Sequence, residues 1–361
     1  IIYKKTLFSL KILKMKRIAL LILVFLLIIS CTKEYIPRNL DSIEIEEFKM
    51  EDTSIRAIVA LDENKVAYAG SNGMFGFITD KGVSIGTQNI KYQDSIIPNF
   101  RSLAFNGTDF FALSIGNPAL LYKISDNEYS LVYKEEHEKV FYDSMHFFDD
   151  NLHGIAVGDP TENCASIILT ADAGKTWNKL PCEFLPKFEE GEAFFAASNT
   201  NIKTLGSTVW IASGGTKARI LKSDDFGQTW QIFETPIIQG NGPQGIYSID
   251  FADKNNGIIV GGDYSKPLEN TANKAITKDG GKTWTLVANN QKPNYKSCVQ
   301  YVPDTNGKEV FAVGKTGVSF SNDGGISWKN VSNESYYAIQ FVDENTAWLS
   351  GNEKIGKMVL K

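Results

Sequence analysis

The chain of 361 residues has only three histidines, His137, His146 and His153. They are too few and too scattered to predict a metal site, so we expect none. The sequence also lacks a strand–Gly-x-Gly-x-x-Gly–helix unit for a dinucleotide and a Gly-x-Ser-x-Gly nucleophile turn. We therefore expect no cofactor. The net charge of −5 at pH 7 argues against a nucleic-acid partner, because the chain has no basic field to neutralise phosphates.

Helical patterns are also missing. No segment combines helix caps with an apolar period of 3.6 residues. Instead, runs rich in β-branched and aromatic residues recur with Gly or Asn-Gly between them, which indicates short strands and tight turns. The sequence therefore predicts an all-β fold.

An eight-residue motif, Ser/Thr-x-Asp-x-Gly-x-Thr/Ser-Trp, occurs four times and contains four of the six tryptophans. We call these segments the octets: Thr170–Trp177, Ser223–Trp230, Thr277–Trp284 and Ser321–Trp328. Asp can hydrogen-bond turn N–H groups, Gly supplies a positive φ, and Trp offers a large surface for packing. We therefore predict a structural role, not a catalytic one, for the octet aspartates Asp172, Asp225, Asp279 and Asp323.

The octet aspartates lie 53, 54 and 44 residues apart, a spacing typical of propellers, solenoids and arrays. Seven units can be read, with first strands beginning near Ser54, Phe100, Tyr142, Ala193, Ile246, Ser297 and Tyr336. The seventh unit has three strands, whereas an alternating segment at residues 43–48 precedes the first unit. Pairing the two would close a ring and remove its free edges. The sequence therefore predicts a seven-bladed β-propeller over residues 43–361 whose N-terminal strand closes the last blade.

The first 31 residues resemble an export signal that follows some upstream sequence. A basic segment at Met15–Arg17 precedes an apolar run at Ile18–Ile29, which is too short to span a bilayer as a permanent helix. Ile28-Ile29-Ser30-Cys31 resembles the lipobox of bacterial lipoproteins, in which the cysteine carries the lipid. An ordinary signal peptide with an incidental cysteine is the alternative.

This resemblance implies a lipid-anchored protein of the cell envelope that contacts the membrane only through its lipid. The outer membrane is favoured because Thr32, and not Asp, follows Cys31. We expect residues 32–42 to be a linker and the protein to be a monomer. Cys164 and Cys182 lie on either side of the first octet. In the oxidising envelope they could form a disulfide, and the alternative is that they are two buried thiols. Cys298 would stay free.

In a four-stranded blade, the first strand starts and the second strand ends on one face, opposite the octets. Polar residues at these positions should meet at one mouth of the central channel. This candidate ligand set is Arg56, Arg101, Asp143, Asp159, Glu192, Arg219, Asp263, Tyr264 and Lys315. It includes every arginine beyond residue 40, and arginine suits carboxylates and phosphates. The alternative is that these side chains pair with one another and plug the channel.

Several segments resemble a family of bacterial propellers labelled oxidoreductases and the related photosystem II assembly/stability factor propellers. They are Asn99–Arg101, Gly158–Pro160, Gly191–Thr200, Gly214–Arg219 and Gly261–Tyr264. The octet resembles the Asp-box (BNR) repeat, which names an architecture and not an activity. The resemblance to the assembly factor implies a partner-binding propeller, whereas no motif supports oxidoreductase chemistry.

The octets also occur in sialidases, which use three arginines, a Tyr nucleophile with a Glu beside it, and an Asp acid/base. The candidate catalytic counterparts would be Tyr264, Glu192, and Asp159 or Asp263. The Phe-Arg-Ile-Pro motif of sialidases is absent, and sialidases have six blades. We therefore predict a non-catalytic propeller that binds an envelope protein partner or a charged or glycan ligand. A sialidase-like glycoside hydrolase acting on charged sugars is the alternative.

Overall fold

A computed structural model describes residues 35–126 and 128–360. The chain divides into two units, Ile1–Ile36 and Pro37–Lys361, and of the first unit only Tyr35 and Ile36 are described. The predicted signal peptide, Cys31 and the start of the linker lie outside the described residues. No helix among the described residues is long and apolar enough to cross a membrane.

The second unit is built from short strands, as the turn spacing predicted. The first strands are β1 (Ile45–Asp62), β2 (Lys65–Gly70), β3 (Met74–Thr79), β4 (Ser84–Asn89), β5 (Phe100–Phe105), β6 (Phe110–Ser114), β7 (Ala119–Ser125) and β8 (Glu128–Glu135). The next are β9 (Tyr142–Phe147), β10 (Gly154–Gly158), β11 (Ser166–Thr170), β12 (Asn178–Lys179), β13 (Glu192–Ala193), β14 (Ile202–Leu205), β15 (Thr208–Ala212), β16 (Gly214–Gly215), β17 (Arg219–Ser223) and β18 (Gln231–Glu234). The last are β19 (Gln244–Phe251), β20 (Gly257–Asp263), β21 (Lys274–Thr277), β22 (Thr285–Leu286), β23 (Cys298–Tyr301), β24 (Val310–Gly314), β25 (Gly317–Ser321), β26 (Lys329–Ser332), β27 (Ala338–Phe341), β28 (Thr346–Ser350) and β29 (Asn352–Val359). A turn of 3-10 helix at Cys182–Phe184 is the one helix among the described residues.

These strands form antiparallel sheets, mostly in sequence order. Four sheets have four strands each: β5 to β8, β9 to β12, β14-β15-β17-β18, and β23 to β26. A six-stranded sheet has the order β13-β16-β19-β20-β21-β22, and a seven-stranded sheet has the order β27-β28-β29-β1-β2-β3-β4. The predicted all-β class is confirmed.

Strand β1 joins the two ends of the second unit. Its first part pairs with β29, with Ile45 opposite Met358, and its second part pairs with β2, with Ile55 opposite Gly70. The segment at residues 43–48 was predicted to pair with the end of the chain, and this register agrees. It is not a separate strand, however, because β1 continues through a register shift between Lys49 and Ser54.

Seven strands contact one another in a closed ring, in the order β1, β5, β9, β14, β19, β23, β27 and back to β1. We call these the innermost strands. Hydrophobic cores lie between successive sheets. One such core contains Phe111 and Leu113 of β6 with Met145 of β9 and Ala156 of β10, all fully buried. Burial between neighbouring sheets therefore stabilises the assembly.

The predicted first strand near Ala193 is wrong. Ala193 belongs to the two-residue strand β13 at the edge of the six-stranded sheet, whereas the innermost strand at this point of the ring is β14, which begins at Ile202 in a different sheet. The residues between them leave the sheet and contact the innermost strands of other sheets. Local strand propensity did not reveal this departure, because those contacts are distant in sequence.

The octets form the predicted turns, each between the last two strands of its sheet. In the first octet, Thr176 N and Thr176 Oγ1 donate to the Asp172 carboxylate at 2.9 and 2.7 Å, and Thr170 Oγ1 donates to it at 2.8 Å. Asp225, Asp279 and Asp323 accept the equivalent bonds. Burial alone would raise the pKa of Asp279, but its hydrogen bonds outweigh burial and lower the pKa to about 2. These carboxylates therefore stay charged and hold the turn.

Each octet glycine also contacts the preceding sheet. Gly174 has φ 82°, and a Cβ there would lie 2.3 Å from Cζ of Phe111 in β6. A Cβ at Gly281 would lie 3.0 Å from the Trp210 ring of β15, and one at Gly325 would lie 2.5 Å from Ile258 of β20. Glycine is thus required twice, for the positive φ and for the close approach of neighbouring sheets.

Part of the predicted linker at residues 32–42 is fixed to the second unit. Arg38 donates to the Glu309 carboxylate through its backbone N at 2.7 Å and its Nε at 2.8 Å. Its Nη2 donates to Glu344 O at 2.7 Å. Lys329 forms an ion pair with Asp41 at 2.6 Å. From Arg38 onward, the segment is therefore docked on the sheets.

Cys164 and Cys182 form a disulfide, with Cα atoms 5.6 Å apart. Of the two alternatives left open by the sequence, the structure has the bridge. Cys182 lies in the 3-10 turn and not at the end of a paired strand. Cys298 is a free, fully buried thiol.

Replacing Gly174 with Ala should lower the free energy of unfolding by about 2–4 kcal/mol, because it adds a clash with Phe111 to the strain of a positive φ. Gly206→Ala is the matched control, since Gly206 has φ 61° and a Cβ there would meet nothing within 4 Å. The Gly206→Ala variant should lose about 1 kcal/mol of unfolding free energy, from backbone strain alone. Urea unfolding measures both changes, and equal losses would show that close packing against Phe111 is unimportant.

Candidate functional site

One cavity opens where the innermost strands begin, and its volume is about 740 Å³. We call it the arginine cavity. It is lined by Arg56, Arg101, Phe141, Asp159, Ala193, Phe194, Phe195, Ala196, Ala197, Gly242, Tyr247, Tyr264, Tyr295, Ser297, Lys315, Ser335, Tyr336 and Tyr337. Five of the predicted ligand residues are therefore brought together: Arg56, Arg101, Asp159, Tyr264 and Lys315. The other four, Asp143, Glu192, Arg219 and Asp263, do not line it.

Residues 193–201, which we call the floor segment, close the bottom of this cavity. Asn199 accepts a hydrogen bond from Met145 N and donates one to Leu103 O, both at 2.9 Å. Ser198 Oγ donates to Ser297 O at 2.7 Å. The floor segment thus makes hydrogen bonds to backbone groups of β5, of β9 and of the residue before β23. No neighbouring strand pairs with these backbone groups.

Arg56 and Arg101 lie against the floor segment. Arg56 Nη1 donates to Ala197 O at 3.1 Å, and Arg101 Nη1 donates to Ala196 O at 3.4 Å. The Arg56 guanidinium stacks on Tyr337, with 3.9 Å from Cζ to the ring centre. Burial, with the nearby charge of Arg56, lowers the pKa of Arg101. Two cations therefore sit side by side in a partly desolvated place, an arrangement that an anion would stabilise.

A pair of carboxyl groups lies behind Arg101. Asp143 is fully buried, and neither of its oxygens makes a well-formed hydrogen bond within the described residues. Burial and the neighbouring Asp159 raise the pKa of Asp143 well above its usual range, although Arg101 opposes this. Burial also raises the pKa of Asp159 to about 6, against a hydrogen bond of 2.7 Å from Phe194 N. The raised pKa favours the neutral carboxyl form of Asp143, which compensates the positive charge of Arg101 less than a carboxylate would.

Arg219 and Glu192 are paired with each other away from the cavity. Arg219 Nε donates to Glu192 Oε1 at 2.9 Å, and its Nη2 donates to the other carboxylate oxygen. Ser213 Oγ donates to Glu192 Oε1 at 2.7 Å. The pair is almost fully buried and joins β17 to β13. Its hydrogen bonds are made within the fold, so its role is structural.

Asp263 is the last residue of β20 and Tyr264 follows it, but only Tyr264 lines the cavity. Asp263 accepts bonds from Ser265 N and Ser265 Oγ at 2.9 and 2.5 Å, which form a local turn. Tyr264 is 53% exposed and lines the cavity. Lys315 is exposed at the same rim.

Aromatic residues dominate the cavity wall, and sequence reasoning selected only Tyr264 among them. Phe195 stacks on Tyr247 with ring centres 3.9 Å apart, and Tyr295 meets Tyr247 edge-on at 4.8 Å. A Cβ at Gly214 would lie 2.2 Å from the Phe195 ring, so that glycine makes room for it. The signal that could have found them is an aromatic residue near the start of several innermost strands.

His146 lies at a smaller cavity of about 100 Å³ on the other side of the floor segment. Its Nε2 is 3.2 Å from Asn199 O, and burial lowers its pKa to about 4, so the ring is neutral. Lys203 and Asp250 form an ion pair of 2.7 Å in the same place. Residues 35–126 and 128–360 contain no group of three or more His, Cys, Asp or Glu side chains that could hold a metal ion.

Three solved structures resemble the chain over most of its length. A structure of YCF48 bound to D1 peptide is 14% identical, with a TM-score of 0.62, and covers 90% of this chain and 100% of that one. Structures of U3-55K and of the RRP9 WD40 repeats are each 10% identical, with TM-scores of 0.64 and 0.65. They cover 89% and 90% of this chain, and 100% of each of those chains. No known protein family and no curated protein matches the sequence.

The fold is that of a β-propeller. At 10–14% identity the likeness shows the architecture alone. In this propeller the arginine cavity lies where the innermost strands begin. The three-arginine arrangement required by the sialidase alternative is not formed, because Arg219 is held by Glu192 and only Arg56 and Arg101 reach the cavity.

Asp159→Asn should raise the free energy of unfolding at pH 7 by about 1–3 kcal/mol, with little change near pH 4. A folded carboxyl pKa of about 6, against an unfolded value near 3.9, means that wild-type stability falls as pH rises between these values. Asn keeps an acceptor for Phe194 N and cannot ionise. Urea unfolding at both pH values measures the difference.

Asp263→Asn is the control of opposite sign. Burial alone would raise the pKa of Asp263, but its hydrogen bonds with Ser265 outweigh burial and lower it. That variant should lose stability at pH 7 and approach the wild type as pH falls. A gain for Asp159→Asn that is the same at both pH values would contradict the assigned pKa.

Proposed function

We propose that the propeller has seven blades and that its octets are Asp-box repeats. The register shift in β1 divides the seven-stranded sheet into two blades, one ending in residues 45–49 and one beginning at Ile55. The six-stranded sheet is one blade, β19 to β22, with the two short strands β13 and β16 at its edge. Counted in this way, each innermost strand begins one four-stranded blade.

We propose that the protein is an envelope lipoprotein that binds an anionic segment of a partner protein in the arginine cavity. One observation carries the proposal: two guanidinium groups lie side by side on an aromatic-lined floor. Within the described residues each makes a single hydrogen bond, and Arg56 Nε is buried without a partner. Charge-assisted bonds from such groups to a carboxylate are the strong ones in protein recognition.

Charge and architecture support the same proposal. The chain has a net charge of −5, yet three of the four ionisable Lys, Arg, Asp and Glu side chains at the cavity are cationic. A local positive site on an acidic protein selects an anionic ligand. YCF48, which shares the architecture, is bound to a D1 peptide in its structure. A charged glycan would use the same cations and rings and is the second class of ligand for this site.

The double variant Arg56→Gln, Arg101→Gln should recover at least tenfold less of the proteins that the wild type enriches from solubilised envelopes. Two charge-assisted hydrogen-bonding groups are lost, and each contributes about 1.5–3 kcal/mol. Quantitative mass spectrometry of the captured proteins measures the loss. Glycosidase digestion of the extract before capture distinguishes a protein ligand from a glycan.

The matched control is Lys254→Gln, Lys308→Gln, which removes two positive charges from exposed loops outside the cavity. It should capture the same proteins as the wild type. Equal thermal midpoints for both double variants would exclude misfolding. Equal recovery by the arginine variant would disprove the proposed site.

The lipid anchor is proposed from the lipobox-like sequence before Cys31. Expressed from Met15 in a Gram-negative host, the protein should incorporate labelled palmitate and fractionate with membranes. Cys31→Ser should abolish both. Cys298→Ser is the control and should remain labelled, because that thiol is buried in the propeller. Labelling of the Cys31→Ser variant would contradict the anchor.

A further inference from the structure

The wall of the arginine cavity contains more aromatic surface than the binding of an anion alone requires. Tyr247 and Tyr295 are buried and Phe195 is half-buried, and the three form a group of stacked and edge-on rings. Tyr264 meets Tyr247 edge-on at 6.4 Å and is 53% exposed. The wall thus runs from the buried interior to the rim, and its outermost ring has one face uncovered.

An exposed tyrosine next to buried rings is typical of the centre of a binding interface. Tyrosine offers a rigid apolar surface with a polar tip, and burying it excludes much water. The backbone N of Tyr264 is 3.4 Å from Pro243 O, so the residue is attached to the neighbouring loop. Its ring is therefore held at the mouth, where a ligand group entering the cavity would cover it.

The rings and the cations are adjacent. Tyr337 packs under the Arg56 guanidinium at 3.9 Å. Arg56 and Tyr295 both line the cavity. Burial raises the pKa of Tyr295, and the charge of Arg56 opposes this shift. A ligand that places an anion on Arg56 would thus hold its next few atoms against Tyr295 and Tyr264.

The floor segment limits how a chain can enter. Ala196 and Ala197 receive the hydrogen bonds of the two arginines, and Ser198 and Asn199 fix the segment to the inner strands. A polypeptide cannot pass through, so only a chain end or a projecting side chain reaches the arginines. The volume of about 740 Å³ has room for both an anion and a ring.

We propose that the ligand is a carboxylate joined to an aromatic side chain, as at a C-terminal aromatic residue of a partner protein. The carboxylate binds Arg56 and Arg101, and the ring packs on Tyr264, Tyr247 and Tyr295. This inference rests on the proposed anionic ligand and adds that the ligand also carries an aromatic ring. Tyr264 is the specificity-determining residue, because it presents an uncovered ring at the mouth and makes few contacts within the fold.

Four small probes test both halves by ligand-observed NMR titration with the full propeller. N-acetyl-phenylalanine carries both groups, its amide lacks the carboxylate, and N-acetyl-alanine lacks the ring. We expect N-acetyl-phenylalanine to bind at least tenfold more tightly than either, since burial of a ring and charge-assisted bonds act together. N-acetyl-aspartyl-phenylalanine amide carries a side-chain carboxylate, and tighter binding of this probe would assign the anion to an acidic residue beside the ring.

Variants separate the two halves. Tyr264→Ala should reduce the preference for N-acetyl-phenylalanine over N-acetyl-alanine at least threefold and leave N-acetyl-alanine binding unchanged. Tyr129→Ala is the control, because its ring is 45% exposed on β8 and lies outside the cavity. It should change neither the preference for N-acetyl-phenylalanine nor the binding of N-acetyl-alanine. Arg101→Gln should weaken the binding of N-acetyl-phenylalanine and of N-acetyl-alanine by the same factor.

Equal binding of N-acetyl-phenylalanine and N-acetyl-alanine would overturn the aromatic half and leave the anionic site standing. Equal binding of N-acetyl-phenylalanine and its amide would overturn the anionic site, and with it this inference. Binding of no probe would overturn both.

Discussion

Every sheet of this propeller has an inner edge whose backbone N–H groups no further strand can pair with, and the fold depends on satisfying them. Side chains of the neighbouring innermost strand accept these bonds. The pairs are Val299 N to Ser248 Oγ, Tyr301 N to Asp250 Oδ2, Phe341 N to Gln300 Oε1 and Ala60 N to Gln340 Oε1, at 2.7–2.9 Å. Polar side chains near the axis thus link β19 to β23, β23 to β27 and β27 to β1.

The same constraint produces the site. Where the inner edges of β5 and β9 lack such a neighbour, Asn199 supplies both the donor and the acceptor. The chain must leave its blade to bring Asn199 there, and in doing so it lays the floor of a cavity. Arg56 and Arg101 use the carbonyl groups of that floor, so their guanidinium groups face a closed pocket and not an open channel. The departure of residues 193–201 from their blade therefore both satisfies the inner edges of β5 and β9 and forms the cavity in which we propose that an anion binds.

The sequence left open whether the polar residues bind a ligand or pair with one another, and the structure shows pairing for only some of them. Arg219 and Glu192 neutralise each other in a buried pair, whereas Arg56 and Arg101 form no ion pair within the part of the chain that the structure describes. Sequence reasoning could not divide the arginines, because each follows a similar strand pattern and only the distance to a carboxylate distinguishes them. It also passed over the rings of Tyr247 and Tyr295, since an aromatic residue in a strand is ordinarily part of a core.

The sequence by itself determined what local chemistry controls: the all-β class, the octet turns and the pairing of the N-terminal strand with the end of the chain. In each case the bonds or the alternation lie within a few neighbouring residues, as between Thr170, Asp172 and Thr176. Only the tertiary structure decided where residues 193–201 go and which charges remain unpaired. Those outcomes depend on contacts between residues about 50 to 140 positions apart, such as Asn199 with Met145 and Arg56 with Ala197, for which no local pattern exists.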